Sequence, residues 1–382
     1  MKKALVFASV ASMIDQFNMD NIQIIKGLGY QVEVACNFKF GSTTTNERVE
    51  NFKKELSEKN IKYYHIPVPR GVKNLRGIYE AYKELKYLIE KNDYSLVHCH
   101  SPIGGVIARI ACKQKRNEGL KVIYTAHGFQ FFKGSRKRYW LFYPIEKYLS
   151  KYTDVLITIN KEDYNLAVKK MHALETKYIP GVGVDTKKFI DCKVDRLIKR
   201  AELSVPDVAI MVLSVGELVK RKNHEIIIKA LAKMEFKNVY YFVCGKGQLD
   251  YKLKELTKSL DLENRVSFLG YRQEIPELCK LADIYAFPST REGLGLAGIE
   301  GMAAGLPIVT SNLNGIKDYS VNGKTGYVCE PRDVDSFANA LDKLCVNKKL
   351  RNDMGKYNAE ACKKFDIYRV NKTMTKIYKE FD

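Results

Sequence analysis

Short β-branched, apolar segments alternate with longer stretches of 3.6-residue apolar period almost from one end of the chain to the other. That alternation admits few folds, because parallel strands need a crossover of a dozen or more residues and a helix is the usual way to supply it. Strands are expected near 4–9, 31–36, 61–66, 95–99, 121–125 and 154–159, and again near 208–215, 239–244, 266–269, 283–287, 307–310 and 326–329. The clearest helical face carries Leu75, Ile78, Tyr82, Leu85, Leu88 and Ile89, and helices near 334–346, 349–364 and 367–381 close the chain. Pro180, Gly181 and Gly183 break the pattern and read as a linker. The expectation is an α/β protein with a first domain over 1–185, a second over 186–366 and a last helix, 367–382, returning to the first. Two doubly wound parallel sheets would then face a central cleft at the C-terminal ends of their strands, where such sheets bind ligands.

Composition narrows the partners. With 64 Lys+Arg against 44 Asp+Glu the chain carries +20, of which residues 1–200 hold +16. An anionic partner is therefore expected at the first half. Nine cysteines stand singly with no Cys-x-x-Cys pair, which reads as reduced core residues of a cytoplasmic protein. Lys2-Lys3 before an apolar run resembles a short signal peptide, but the run leads into an amphipathic segment and a second strand, so a first strand is the better reading. No apolar run reaches the ~18 residues of a membrane span.

The richest motif runs from Pro288 to Pro307. A strand ending at Phe287 passes through a Gly-rich turn into a helix, so backbone N–H groups and the positive helix end form an anion cradle. Gly293, Gly295 and Gly298 are expected to let a ligand approach the backbone. Glu292 and Glu300 are too far apart to share a helix face and can bind two separate hydroxyl-bearing parts of one ligand, as a phosphate between two sugars would require.

The Glu292-x7-Glu300 spacing, followed by Ala303-x-Gly305-x-Pro307, resembles the donor-site signature of retaining glycosyltransferases of family 4, which have the GT-B fold of two Rossmann-like domains. The likeness covers nearly the whole chain. It extends to Ser214-Val-Gly216 with Lys222-Asn223-His224, Cys244-Gly-Lys-Gly247, Phe268-Leu-Gly270-Tyr271 and Asn322-Gly-x-Thr-Gly326. His98-Cys-His100-Ser-Pro102, Thr125-Ala-His127-Gly128 and the linker are similar to bacterial capsule and exopolysaccharide members.

The resemblance implies a nucleotide-sugar donor, UDP-linked, with Glu300 on the ribose and Glu292 facing the donor sugar. It implies that Gly216, Arg221 and Lys222 lie at the pyrophosphate, that the backbone of Gly293, Leu294, Gly295, Leu296 and Ala297 meets sugar and phosphate, and that Tyr271 and Arg272 flank the base. His127 is the catalytic candidate at the sugar, and the acceptor is a polyprenyl-diphosphate-linked saccharide. Two positions depart from the pattern: Glu217 stands where many members carry Arg, and Ser9 to Met13 replace a Gly pair after the first strand.

Charge developing on a departing diphosphate can be met by a metal or by cations and helix N-termini, and this sequence favours the second, with no cofactor. Asp333-Val-Asp335 reads as a helix N-cap rather than a metal motif. His98 and His100 share a strand face, but a third metal ligand is not evident. From Phe129 to Tyr143, Arg136, Lys137, Arg138 and Trp140 mix cations with aromatics, the composition of an interfacial helix at an anionic membrane surface. Nucleic acid would use the same ingredients but is the weaker reading. The expectation is a peripheral enzyme on the inner face of the plasma membrane. Its rivals are a non-catalytic subunit of the same fold and a dinucleotide oxidoreductase, and the second lacks a Gly-x-Gly-x-x-Gly turn after Ala4–Ser9.

Overall fold

The computed structural model describes residues 1–381 and divides into two compact units, Met1–Val182 with the C-terminal stretch from Arg369, and Gly183–Tyr368. In the first, strands β1 (Lys3–Val10), β2 (Gln31–Asn37), β3 (Lys62–His65), β4 (Tyr94–His100), β5 (Lys121–Ala126), β6 (Val155–Thr158) and β7 (Glu175–Tyr178) form one sheet in the order β3-β2-β1-β4-β5-β6-β7. Every pairing in it is parallel. Strand β7 was not expected: Glu-Thr-Lys-Tyr is an edge strand with no fully buried residue and, unlike the opposite edge β3 between Ile61 and Ile66, it is not bracketed by buried isoleucines. The last helix, Ile367–Lys379, belongs to this unit from Arg369 onward and buries Val370, Met374, Ile377 and Tyr378.

The second unit repeats the arrangement with β8 (Ile210–Val215), β9 (Val239–Cys244), β10 (Val266–Gly270), β11 (Ile284–Phe287), β12 (Ile308–Ser311) and β13 (Gly326–Cys329), ordered β10-β9-β8-β11-β12-β13. Its central strand buries Met211, Val212 and Leu213 completely, because helices cover both faces of a parallel sheet. Each such side chain is worth about 1.5–3 kcal/mol of burial. In both units the strand order reverses beside the first strand, at β1/β4 and at β8/β11. There the chains leaving neighbouring strands diverge and open a crevice.

Glycine–tyrosine packing fixes the helix after each reversal. A Cβ on Gly105 would lie 2.4 Å from the Tyr124 ring, and one on Gly301 would lie 2.5 Å from the Tyr285 ring. Both tyrosines are buried. All nine cysteines are free, and eight are buried.

Candidate active site

In the second unit the β8/β11 reversal is cross-linked by charge. The chain leaving β8 turns through Lys220–Lys222 into the helix His224–Lys233, which brings Lys222 Nζ to 2.7 Å from Glu292 Oε1 just beyond β11. Arg221 spans two carboxylates, donating to Glu292 Oε1 at 3.2 Å and to Glu217 Oε2 at 3.0 Å. Glu217, two residues past β8, holds Arg221 beside Glu292. The aliphatic stem of Lys222 lies over Gly216, where a Cβ would stand 3.2 Å from it. Lys222 and Glu292 are only 11% and 10% exposed, so their attraction is little screened.

The helix Leu296–Ala303 starts at Gly295, whose φ of +89° is left-handed, and no side chain caps it. Gly298 N is met by the Gly295 carbonyl at 3.0 Å, while the N–H groups of Leu296 and Ala297 have no intrahelical partner. At two of the motif's glycines the protein itself fills the space beside the backbone. The space a Cβ would take at Gly295 is filled by Phe287 at 2.6 Å, and at Gly298 by Tyr319 Oη at 2.4 Å. These glycines admit the protein's own aromatic rings. Gly315 likewise presses on Gly293, with its would-be Cβ 2.0 Å from the Gly293 carbonyl oxygen.

The Glu300 carboxylate, one turn into that helix, has no hydrogen-bond or ion-pair partner among the described residues. Burial holds its carboxyl above the ordinary range, opposed by Lys188 and Lys222. Tyr271 stands 70% exposed beyond β10, and Arg272 beside it pairs with Glu274 at 3.2 Å. Asp333 caps the helix Val334–Val346 by accepting from Ser336 N at 3.0 Å. Asp335 pairs with Lys233 at 2.6 Å.

In the first unit the β1/β4 reversal is closed by hydroxyls. Ser9 N donates to Ser101 Oγ at 3.1 Å, and Gly104 N donates to Ser9 Oγ at 3.1 Å. Ser101 takes φ +66°, unusual for a residue with a side chain. The chain enters the helix Ala11–Phe17 directly from β1, so no glycine turn forms where the family pattern has one.

His127 follows β5, and its loop is tied down by Phe129 N donating to Asp163 Oδ2 at 2.8 Å. Parallel pairing sets His100 opposite Thr125, and His100 Nδ1 lies 3.1 Å from His127 Nε2. A third histidine thus does stand beside the His98/His100 pair, contrary to expectation. Period-2 alternation with the β4/β5 register could have signalled it. Nonetheless no group of three or more His, Cys, Asp or Glu among the described residues could hold a metal ion. Both nitrogens of His98 are engaged, by Tyr378 Oη at 2.7 Å and Thr125 Oγ1 at 2.8 Å. Burial lowers the pKa of His98 to about 3 and of His127 to about 4, and holds His100 well below the ordinary value. All three are neutral at physiological pH.

The basic aromatic segment is not one interfacial helix. Phe129, Phe131 and Phe132 are buried in the core, Lys137–Phe142 is a tight helical turn and Tyr143–Ser150 a short helix. Arg136, Lys137, Arg138 and Trp140 are exposed, as are Leu141, Ile145 and Tyr148, which recur at helical spacing. A buried ion pair, Arg109 to Glu146 at 2.8 Å, anchors the inner face of this helix. No described helix is long and apolar enough to cross a membrane.

Two family models divide the chain: "Glycosyl transferase 4-like" matches residues 17–160 and "Glycosyl transferases group 1" matches 195–361. EpsD of Bacillus subtilis, named provisionally as a glycosyltransferase, is 32% identical across 100% of this chain and 97% of its own length. The chain belongs to this glycosyltransferase family. A galactosyltransferase of Escherichia coli, named for transfer from UDP-Gal to α-D-GlcNAc-diphosphoundecaprenol, is 32% identical to the enzyme over 73% of this chain and 72% of its own. In architecture the glycosyltransferase matches HepE of Anabaena, solved with UDP and glucose, at a TM-score of 0.77 and 20% identity over 99% of both chains. It also matches WaaG, a glycosyltransferase of lipopolysaccharide biosynthesis, at 0.74 and 18% over 98% and 99%. The fold is accordingly GT-B.

Proposed function

We propose that the enzyme transfers a sugar from a UDP-sugar to a lipid-linked saccharide during assembly of a cell-surface polysaccharide, with retention at the anomeric carbon and without a metal. The observation that carries the donor side is Glu300. A partly buried carboxylate with no protein partner is costly unless a ligand supplies one, and ribose hydroxyls are donors of the right kind. Lys222 and Arg221 are assigned to the diphosphate. Two cations beside an uncapped helix start can offset the charge that builds as the nucleoside diphosphate leaves. Tyr271 and Arg272 are assigned to the base, and Glu292 and His127 to the donor sugar.

The lipid-linked acceptor is supported by the α-D-GlcNAc-diphosphoundecaprenol for which the Escherichia coli relative is named, and the polysaccharide context by likeness to EpsD. Exposed Arg136, Lys137, Arg138, Trp140, Leu141 and Ile145 give the first unit a surface suited to anionic headgroups, and hence to peripheral attachment at the membrane.

Two experiments test the proposal. Purified enzyme is offered a panel of UDP-sugars with a lipid-linked saccharide in the presence of a chelator. Turnover is expected with one of them, and Glu300→Ala should lower kcat/KM by about a hundredfold. Unchanged turnover in that variant would reject the donor site. In flotation assays binding to anionic vesicles should fall with salt and with joint neutralisation of Arg136, Lys137 and Arg138. Binding indifferent to both would reject the membrane surface.

A further inference from the structure

The three histidines at the ends of β4 and β5 are not equivalent. His98 has both ring nitrogens occupied, by Tyr378 and Thr125. His127 is partly exposed, and only its Nε2 has a protein partner. His100 is 1% exposed, uses Nδ1 toward His127, and has its Nε2 buried without a protein partner. His100 lines a cavity of about 10 Å³ together with His127, Asn18, Asp20, Asn21 and Asn371. Such a space admits about one water-sized group.

The cavity wall supplies acceptors. Asp20 Oδ2 takes a hydrogen bond from Asn371 Nδ2 at 2.9 Å and, as a carboxylate, has capacity for more. Asn18 gives one amide N–H to the Met13 carbonyl at 2.8 Å and Asn21 gives one to Asn18 Oδ1 at 3.0 Å. Among the lining side chains only the Asp20 carboxylate is purely an acceptor. A histidine nitrogen in that company is best satisfied as a donor, with the proton on His100 Nε2. His100 is neutral, so its Nδ1 is then bare and must accept the hydrogen bond from His127 Nε2–H. A neutral His127 carrying its proton on Nε2 has a bare Nδ1.

We propose that His100 is a positioning residue that fixes the tautomer of His127, holding its Nδ1 as a hydrogen-bond acceptor for a substrate hydroxyl. The inference rests on the reading of His127 as a sugar-facing group, but its physical content is the tautomer, which can be read without any turnover. Asp20 and His100 line the same cavity, and His100 in turn holds His127. No proton need pass between them during reaction, because the effect of His100 is to orient one ring and decide which face of it is a lone pair.

The test is long-range proton–nitrogen NMR on the full-length enzyme labelled in histidine nitrogen, together with kinetics of the variants. In the wild type both His100 and His127 should show the Nε2–H tautomer. His100→Leu should let His127 average between tautomers and lower kcat about ten- to a hundredfold, with donor KM changed less than about twofold. His100→Asn, whose carboxamide oxygen can accept where Nδ1 did, should recover both signals to within about threefold. In a His127→Ala background His100→Leu should have no further effect on kcat. A wild-type His127 found as the Nδ1–H tautomer overturns the proposal. So does a His100→Leu enzyme with unaltered His127 spectrum and kcat. Should His100→Leu fail to fold, the wild-type spectrum and His100→Asn still decide. Wild-type turnover in His127→Ala would sink the reading of His127 at the sugar, while the tautomer measurement would continue to judge the inference by itself.

Discussion

The two units share a strand order and a point of reversal, yet their strand ends carry opposite chemistry. At β8/β11 the second unit gathers Arg221, Lys222, Glu217 and Glu292 into an ion-paired cluster with Glu300 unpartnered nearby. At the ends of β4 and β5 the first unit gathers three histidines, two of them fully buried and His127 partly exposed, that desolvation keeps neutral. The net charges run the other way, since residues 1–200 hold +16 of the +20. The first unit's cations include an exposed cluster at Arg136–Arg138, whereas the second, nearly neutral, places two of its cations at the site. The fold supplies the location, and a handful of side chains supply the chemistry.

The contrast can be broken most directly at its charged end. Lys222→Ala removes the shorter of two contacts to a carboxylate that is only 10% exposed, so kcat/KM for the donor should fall by about a hundredfold or more. Lys222→Arg should recover part of it. Steady-state kinetics with the accepted donor would check this, and wild-type behaviour in the alanine variant would remove the diphosphate assignment.

What the units share should fail alike. Gly105→Ala and Gly301→Ala would each drive a methyl to about 2.5 Å from a buried tyrosine ring, at a cost of about 1–3 kcal/mol. Urea unfolding should show both losses. A cost in only one unit would mean that the common packing is superficial.

Acid should separate the units. A histidine whose folded pKa is depressed stabilises the fold above its unfolded value near 6.5, and that contribution is lost as pH falls toward the folded value. The first unit has three such groups beside its site, while His224 of the second is held at about 4. Each adds a slope of at most about 1.4 kcal/mol per pH unit. Amide exchange measured at pH 7 and pH 5 should show β4 and β5 losing more protection than β8 and β9. Equal losses would contradict the neutral-histidine account.

The smallest effect concerns Glu300. Its raised pKa means that the protonated form is favoured in the fold, so stability is lost as pH rises through that value. Glu300→Gln should therefore raise the Tm of the ligand-free enzyme by about 1–3 °C at pH 7.5, with the gain shrinking toward pH 4. A gain independent of pH would point to packing rather than charge.

Much of this molecule was legible in the chain. Twelve strands could be placed from apolar runs because buried parallel strands are apolar on both faces. The edge strand Glu175–Tyr178 escaped because it has no fully buried residue and lacks the flanking buried pair, Ile61 and Ile66, that marks the equally unburied edge strand Lys62–His65. Asp333 was recognisable as a cap from its spacing to an apolar period. The role of Gly298 was not, since nothing in the local sequence announces that Tyr319, twenty-one positions on, fills the space a side chain would need. Nor could spacing foretell that Tyr378 would reach His98 across 280 positions.

The sequence by itself determined the alternating α/β architecture, the family and the residue types offered to a ligand, because periodicity, turn chemistry and motif spacing are local. Only the tertiary structure decided that Glu217 carries Arg221, that Glu300 is left without a partner, and that His100 and His127 share one hydrogen bond. Those states depend on burial and on distances between segments far apart in the chain, and pKa and pairing are set by such surroundings rather than by neighbours in sequence.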